Sequence, residues 1–188
     1  MLEATLPWGS RVRGYRSRFI ETSVCEAQWQ RNAYWNLRRC IFVEEQSLFQ
    51  VSDRDERDAA ALPIVAMSTS FGMPDQVIGV VRIYPVESAI GEATWYGGRL
   101  GVDRAYRRHG VVGEKLIKRA VGTARGLGCQ SFLATVQAPN VRYFERYNFE
   151  VLRGVQLYDT PHALMRARVE RFEPLTLPAA VERPELAA

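Results

Sequence analysis

The sequence predicts an α/β fold of the α+β kind, and three patterns support this prediction. Between residues 94 and 137, a strand, a basic turn, an amphipathic helix and a second strand follow one another. This is the order of a βαβ unit, whose crossover is expected to be right-handed. Two apolar runs before this unit predict a hairpin, and two β-rich runs after it predict a closing pair of strands.

The front of the chain predicts one strand, one helix and a loop. Residues 1–17 are expected to be irregular, and residues 19–24 are expected to form the first strand. A helix is expected from residue 26 to about residue 45, because apolar residues recur at helical spacing: Trp29, Ala33, Leu37, Ile41 and Phe42. Residues 47–63 are polar and acidic, which predicts a loop that holds a short helix.

The middle of the chain predicts the hairpin and the βαβ unit. Residues 64–69 and 77–84 predict two strands joined by the turn-rich segment 72–75. Residues 94–102 predict the next strand, and the helix after it has one apolar stripe: Val112, Leu116, Ile117, Ala120, Val121 and Ala124. Gly126 and Gly128 predict its end, and residues 131–137 predict the strand that follows. Residues 149–157 and 163–169 predict the closing strands.

Length and composition predict one cytoplasmic domain. Residues 1–172 are expected to form this domain, and residues 173–188 are expected to be a flexible tail because prolines and alanines there lack periodicity. No apolar run approaches a membrane span, and no signal-peptide region is expected. Cys25, Cys40 and Cys129 are scattered, which suits a reducing compartment and gives no metal-site spacing. The tryptophans are expected in the core or at an interface: Trp8, Trp29, Trp35 and Trp95.

The net charge of +4 does not predict a nucleic-acid partner. The arginines are dispersed, acidic residues alternate with them, and no cassette of aromatic and basic residues is present. A mixed solvated surface together with one anion-binding site accounts for the charge more simply.

The segment from Leu100 to Gly113 predicts a site for a pyrophosphate group. Glycines at its end open the amphipathic helix, where successive backbone N–H groups point outward at the positive end of the helix dipole. Arg107 and Arg108 add guanidinium groups, which can donate two hydrogen bonds at once to phosphate. A Walker loop fits poorly because Glu114 follows Gly113, and the dinucleotide fingerprint fits poorly because only two glycines remain.

Residues 107–112, Arg-Arg-His-Gly-Val-Val, resemble motif A of the GNAT superfamily of acyl-CoA-dependent N-acetyltransferases, written Arg/Gln-x-x-Gly-x-Gly/Ala. Val112 stands where the family has a small residue, and Gly113 follows it. Residues 137–149 resemble the later helix of the family, which closes in Phe-Tyr-Glu-Lys-x-Gly-Phe. Asn148 replaces the usual glycine and also tolerates a left-handed cap. The two motifs occur in the family's order and at its separation.

The resemblance covers about residues 18–170 and implies a fold. It implies a mixed, mostly antiparallel central sheet with a splayed parallel strand pair and with helices on both faces. Residues 39–46, with Asp55 and Asp58, are also similar to a helix of some bacterial acetyltransferases and, more loosely, of acyl-homoserine-lactone synthases. More narrowly, the chain resembles the small acetyltransferase domain encoded in bacterial nitrilase gene clusters.

The resemblance also implies acetyl-CoA as co-substrate and no metal. Arg107 is expected to add charge beside the pyrophosphate, and these residues are expected to bind it through their backbone N–H groups: Arg108, His109, Gly110, Val111, Val112 and Gly113. Leu100, Gly101 and Val102 are expected beside the pantetheine arm, with an N–H near Leu100 facing the developing oxyanion. Phe144 and Asn140 are expected at the same cofactor, although Asn140 is equally suited to be an N-cap.

The implied reaction is attack by the amine of a small molecule on the thioester carbonyl, and its base stays open. Glu45 is either this base or a solvated charge, Tyr96 either relays a proton or packs in its strand, and His162 is either a base or a structural residue of its turn. The family's acid tyrosine aligns with Phe144, which has no proton to donate. Tyr143 is the adjacent candidate, and Tyr147 lies one turn further along.

Candidate substrate contacts are Gln46, Arg99 and His162, together with Asp55 and Asp58, whose charge suits a cationic amine. Two other functions stay open. One is a catalytically silent acyl-CoA sensor or partner domain, which Phe144 favours. The other is an acyl-homoserine-lactone synthase-like acyltransferase, which needs a different donor. A homodimer is the default expectation for assembly.

Overall fold

One seven-stranded sheet, in the order β1-β2-β3-β4-β5-β7-β6, organises the protein. The computed structural model describes residues 19–88, 91–157 and 160–184, so the predicted irregular segment 1–17 and Trp8 lie outside the described residues. The strands are β1 Ile20–Val24, β2 Leu62–Ser70, β3 Met73–Val86, β4 Thr94–Val102, β5 Ser131–Gln137, β6 Phe149–Leu157 and β7 Thr160–Ala167. The α-helices in these ranges are α1 Gln28–Arg38, α2 Val111–Gly126 and α3 Val141–Glu145.

Neighbouring strands are antiparallel except for the pair β4–β5, which is parallel. Alternate residues of β2 pack on opposite faces: Ile64 and Ala66 join the cluster that contains α2, whereas Val65 and Met67 join the cluster that contains Tyr34 of α1. Helices therefore cover both faces. The predicted fold class is confirmed, and the predicted apolar stripe of α2 is buried throughout.

The first helix differs from its prediction. It ends as an α-helix at Arg38 and continues as a π-helical turn over Arg39–Glu45. Trp29, which the apolar periodicity placed on the buried face, is 46% exposed, while Gln30, Tyr34 and Arg38 are buried. These buried polar groups have partners: Gln30 Oε1, for example, accepts hydrogen bonds from two backbone N–H groups that precede α1. The buried face of α1 is thus formed by the row of residues next to the predicted one, and its polar side chains have partners.

The hairpin strands are longer than predicted. Thr69 still pairs with Pro74, so the turn narrows to Phe71 and Gly72, which both have positive φ angles. Such two-residue turns match the twist of the strands that they join. The loop before β2 contains a short 3-10 helix, Glu56–Ala59, as predicted.

The chain after Glu173 lies along α2 rather than forming the expected flexible tail. Leu175 N donates a hydrogen bond to the carbonyl oxygen of Gly122 at 2.9 Å. A Cβ atom at Gly126 would overlap the Leu175 carbonyl group. Leu177 and Val181 also pack on the core. Two glycines one turn apart make a groove for this segment, and residues 185–188 lie outside the described residues.

No helix in the described ranges is long and apolar enough to cross a bilayer.

Candidate active site

The strands β4 and β5 part midway along their length. Their parallel pairing runs from Thr94 opposite Ser131 to Gly97 opposite Ala134, and β4 continues to Val102 without a partner on this side. A splayed parallel pair was expected here. The gap exposes backbone donors and acceptors in the middle of the sheet.

A cavity of about 270 Å³ occupies this gap. On the face that α1 covers, its walls include Gln46, Arg82 and Tyr96. On the face that α2 covers, they include Ile117, Phe132 and Phe144. The cavity therefore connects the two faces of the sheet, so that two reactants could meet from opposite sides.

A bulge in β4 shapes the backbone at the cavity. Val80 pairs with Gly101 and Arg82 pairs with Gly98, so Arg99 and Leu100 together oppose a single residue of β3. Arg99 has a φ angle of 53°, in the left-handed region that few non-glycine residues adopt. Leu100, which lines the cavity, is thereby released from regular pairing on both sides.

A network of ion pairs borders the cavity, and its members are Arg38, Arg82, Arg99, Asp53, Asp55 and Asp58. The side chain of Arg38 is fully buried, with Nε at 2.7 Å from Asp53 and Nη1 at 2.6 Å from Asp58. It also donates a hydrogen bond to the Tyr34 hydroxyl at 2.9 Å. Arg38 therefore holds the loop between α1 and β2 against the sheet.

The other two arginines of this network line the cavity. Arg82 donates two hydrogen bonds of 2.6 Å to Asp55 and lies 2.7 Å from Asp58. Arg99 Nη2 donates to the Asp53 carbonyl at 2.9 Å and to Asp55 at 3.1 Å. These bonds hold Arg99 in its left-handed conformation.

The network corrects the expectation that Asp55 and Asp58 bind a cationic amine. Burial opposes ionisation of both groups, but hydrogen bonds from Arg82, and for Asp58 also from Arg38, outweigh it and lower the pKa of each carboxyl. Both carboxylates are therefore occupied by arginine. Sequence reasoning missed this network, although Arg82 sits inside the apolar run of β3, where a charge requires a buried partner.

Two tyrosines form an aromatic wall of the cavity. The rings of Tyr84 and Tyr96 stack with centroids 5.7 Å apart. The Tyr96 hydroxyl is hydrogen-bonded to the Thr135 hydroxyl across the parallel strands. Burial raises the pKa of Tyr84, which disfavours its phenolate. Tyr96, a predicted catalytic residue, thus lies at the point where the strands separate.

His162 lines the cavity from β7. Its Nδ1 atom lies 2.8 Å from the carbonyl oxygen of Thr160. A carbonyl oxygen only accepts hydrogen bonds, so Nδ1 carries the proton in the neutral ring and Nε2 keeps its lone pair. The ring is therefore held in the tautomer that can accept a proton at Nε2.

Glu45 is placed differently from its predicted role as base. Its carboxylate pairs with both terminal nitrogens of Arg107, at 2.8 Å for Nη2, and it is not among the described residues that line the cavity. The hydrogen bond from Arg107 lowers the pKa of Glu45, which makes it a weaker base. Arg107 Nε also donates to the Val102 carbonyl at 2.7 Å. The pair therefore ties the end of the π-helical turn to the end of β4.

We expect Glu45→Gln to retain acyl transfer within about threefold of wild type, because ordinary removal of a general base costs roughly 10²-fold or more. Thiol-release rates measured from pH 6 to 9 would check this, with Glu44→Gln as the control at the exposed neighbouring carboxylate. A hundredfold loss in Glu45→Gln alone, with a shifted pH profile, would restore Glu45 as the base.

The predicted phosphate loop begins with a 3-10 turn, Arg104–His109. Gly110 follows with a φ angle of +67°, and its N–H donates to the Arg107 carbonyl at 3.3 Å. The first helical bond of α2 runs from Glu114 N to the Gly110 carbonyl at 3.0 Å. Since the first N–H groups of a helix have no partner within it, the donors for an anion lie at Val111, Val112 and Gly113. The array of donors is thus shorter than the predicted run from Arg108.

Tyr143 supports this loop and does not line the cavity among the described residues. Its hydroxyl donates to the Gly110 carbonyl at 2.5 Å, and burial raises its pKa. A Cβ atom at Gly113 would lie 2.6 Å from the Tyr143 hydroxyl oxygen, so the tyrosine fits because this position is glycine. Tyr147 adds a hydrogen bond to Glu114 at 3.2 Å. Tyr143 therefore holds the loop, and its role as acid stays a prediction.

Four of the remaining predicted residues line the cavity, whereas Gly101 is not among the described residues that line it. Asn140, Phe144, Gln46 and Arg99 all line the cavity. Asn140 precedes α3 but makes no side-chain cap hydrogen bond, which leaves its amide for a ligand. Gly101 packs instead toward the π-helical turn, where an added Cβ would lie 2.9 Å from Ile41. No cluster of three potential metal ligands occurs among the residues that the structure describes.

Comparisons with known proteins agree with this geometry. The model of the acetyltransferase (GNAT) family matches residues 23–149. The structure resembles ElaA from Escherichia coli, with 21% identity, a TM-score of 0.64, and coverage of 80% of this chain and all of ElaA (100%). An acyl-CoA N-acyltransferase from Pseudomonas aeruginosa shows 24% identity and a TM-score of 0.63, with coverage of 79% of this chain and 99% of that chain.

A third similar structure is BjaI, a CoA-dependent acyl-homoserine lactone synthase. It shows 18% identity and a TM-score of 0.58, with coverage of 78% of this chain and 81% of BjaI. Among curated proteins, none matches the sequence. Identities this low establish the fold, whereas the family match spans more than half of the chain. The protein belongs to the GNAT family of acyl-CoA-dependent N-acyltransferases.

Proposed function

We propose that this protein transfers the acetyl group of acetyl-CoA to the amine of a small molecule by direct attack. The carrying observation is the cavity between β4 and β5, because it joins the two faces of the sheet beside the released backbone of Leu100. Acetyl-CoA supplies an activated thioester when bound. The chain must then hold this co-substrate, accept a proton from the amine and stabilise an oxyanion.

The cofactor half of the site runs from Leu100 to the start of α2. The backbone of Leu100 and Val102 is the proposed partner of the pantetheine arm, because β5 no longer pairs with this part of β4. The N–H groups of Val111, Val112 and Gly113 are the proposed pyrophosphate donors, with Arg108 contributing charge. Asn140, which lines the cavity, is the proposed ligand of an amide in the arm.

We expect Gly110→Val to weaken CoA binding at least tenfold. Valine is strained at a φ angle of +67°, and a Cβ there would lie 3.1 Å from the Tyr143 ring, so the loop must shift. Gly128→Val is the matched control, because Gly128 also has a positive φ angle, of +90°, near the other end of α2, with open space around its Cβ position. Calorimetric titration with CoA would check both variants. Equal affinities for Gly110→Val and wild type would refute the assigned loop.

The proposed base is His162, since its free Nε2 belongs to a cavity-lining ring. Phe144 supplies no proton to the departing thiolate. A thiol with an ordinary pKa of about 8.5 is a tolerable leaving group without an acid. Tyr96 also lines the cavity, and its hydroxyl stays a candidate for proton relay.

One specific observation favours a second function. Phe144 occupies the position of the family's acid, which suits a domain that binds acyl-CoA without turnover. Calorimetry with acetyl-CoA, followed by thiol-release assays on a panel of amines, would separate the two functions. Thiol release that requires an amine supports the enzyme, whereas tight binding without release across the panel supports the sensor. An acyl-homoserine-lactone synthase-like activity would appear in the same assay with longer acyl donors.

Three further expectations stay predictions: that the protein is bacterial, that it is cytoplasmic, and that it forms a homodimer.

A further inference from the structure

Arg82 carries a buried hydrogen-bond donor that nothing in the described residues satisfies. Its side chain is 3% exposed, and its terminal nitrogens bind Asp55 and Asp58. Its Nε atom is buried and has no hydrogen-bond partner in the described part of the chain. Buried donors are almost always paired, so an unpaired one beside a cavity points to a ligand.

The space next to this donor is open because residue 98 is glycine. Gly98 pairs directly with Arg82 across β3 and β4, and both line the cavity. A Cβ atom built at Gly98 would have Arg82 Nε as its nearest neighbour, at 3.7 Å, with no other atom within 4 Å. A side chain at residue 98 would therefore stand beside the unpaired N–H, and glycine leaves that place empty.

The surroundings of this position define the chemistry of its occupant. Arg82 and Arg99 are the only charged side chains among the described residues that line the cavity. Phe42, Phe49 and Tyr84 supply aromatic surface in the same cavity. An oxygen that bears negative charge fits beside the guanidinium groups, and an apolar body fits against the rings.

We infer that the acceptor is an apolar amino acid or a close analogue, whose carboxylate accepts a hydrogen bond from Arg82 Nε above Gly98. This inference rests on the proposed function, because it names the acceptor of the same reaction. Only the neutral amine can attack the thioester, so deprotonation of the acceptor falls to the proposed base, His162.

Three matched acceptors test the inference: phenylalanine, its primary amide, and phenethylamine, which has no carboxylate. We expect kcat/KM with acetyl-CoA to be at least tenfold higher for phenylalanine than for phenethylamine, with the amide between them. Gly98→Ala fills the open position at an ordinary contact distance. It should therefore remove this preference, so that the ratio of kcat/KM for phenylalanine to kcat/KM for phenethylamine falls from at least ten to about one. Gly154→Ala is the control, because Gly154 lies in β6 and its Cβ position is open.

Binding of the reaction products gives a second readout that needs no turnover. N-acetylphenylalanine should bind the CoA-loaded protein at least tenfold more tightly than N-acetylphenethylamine, and Gly98→Ala should abolish the difference. If the wild-type protein shows equal rates or equal affinities for the compounds with and without a carboxylate, the carboxylate assignment is wrong. The proposal of acetyl transfer would be unaffected by that result. Failure to bind CoA would instead overturn the proposed function itself.

Discussion

Replacement of Arg38 by methionine is expected to destabilise the fold by about 3–5 kcal/mol, the cost of leaving buried charges without their partner. Arg38 is fully buried and holds both Asp53 and Asp58, and neither carboxylate is open enough to water to be rehydrated in place. The pKa of Asp58 is held low in part by the Arg38 hydrogen bond, so its carboxylate would lose that stabilisation. Urea unfolding at neutral pH would measure the change in the free energy of unfolding.

The adjacent residue provides the control for this prediction. Arg39 also pairs with an acid, Glu44 at 3.2 Å, but its side chain is 71% exposed. Arg39→Met should change stability by no more than about 1 kcal/mol, as surface ion pairs do. Similar losses for the two variants would show that burial of the network does not govern its contribution.

Replacement of His162 by glutamine is expected to lower kcat/KM for acetyl transfer by roughly 10²-fold or more, the usual contribution of a general base. Glutamine keeps a polar side chain in the cavity but cannot accept the proton of the amine. The affinity for CoA, measured by calorimetry, should stay within about twofold. The shape of the pH profile of kcat/KM should also change, because the group that accepts the proton is gone.

Gln156→Ala, at an exposed position on the neighbouring strand β6, is the control for handling and folding. If His162→Gln keeps full activity and an unaltered pH profile, the base assignment is wrong. Tyr96→Phe would then be the next variant to measure, because Tyr96 lines the same cavity.

The features that sequence predicted well are those set by local patterns. The period of α2 and the glycine at residue 110 depend on neighbours within a few residues, so the helix and the position of the loop were predictable, whereas the sheet was implied by the resemblance to the family. Leu100, Asn140 and Phe144 were placed by motif, and all three line the cavity. Whether they bind acetyl-CoA stays a prediction.

The features that sequence missed depend on contacts between distant residues. Arg38 meets Asp53 and Asp58 across a loop, and Tyr143 reaches Gly110 from a different helix, so no local spacing reveals either contact. The same limit explains Glu45. Its position at a helix end suggested a base, but its partner Arg107 lies beyond β4. The polar face of α1 is a further case, because Gln30 and Arg38 are buried only where partners satisfy them.

Helix α2 is fastened at both of its ends, by Tyr143 and Tyr147 at the start and by the Leu175 segment near the finish. A helix restrained in this way loses little conformational freedom when an anion binds at its first turn. The site is therefore preorganised, because most of the conformational entropy that its ordering costs is lost during folding and not on binding of CoA. Association with CoA should accordingly proceed by rigid docking at this end of the molecule, with adaptation confined to the acceptor side.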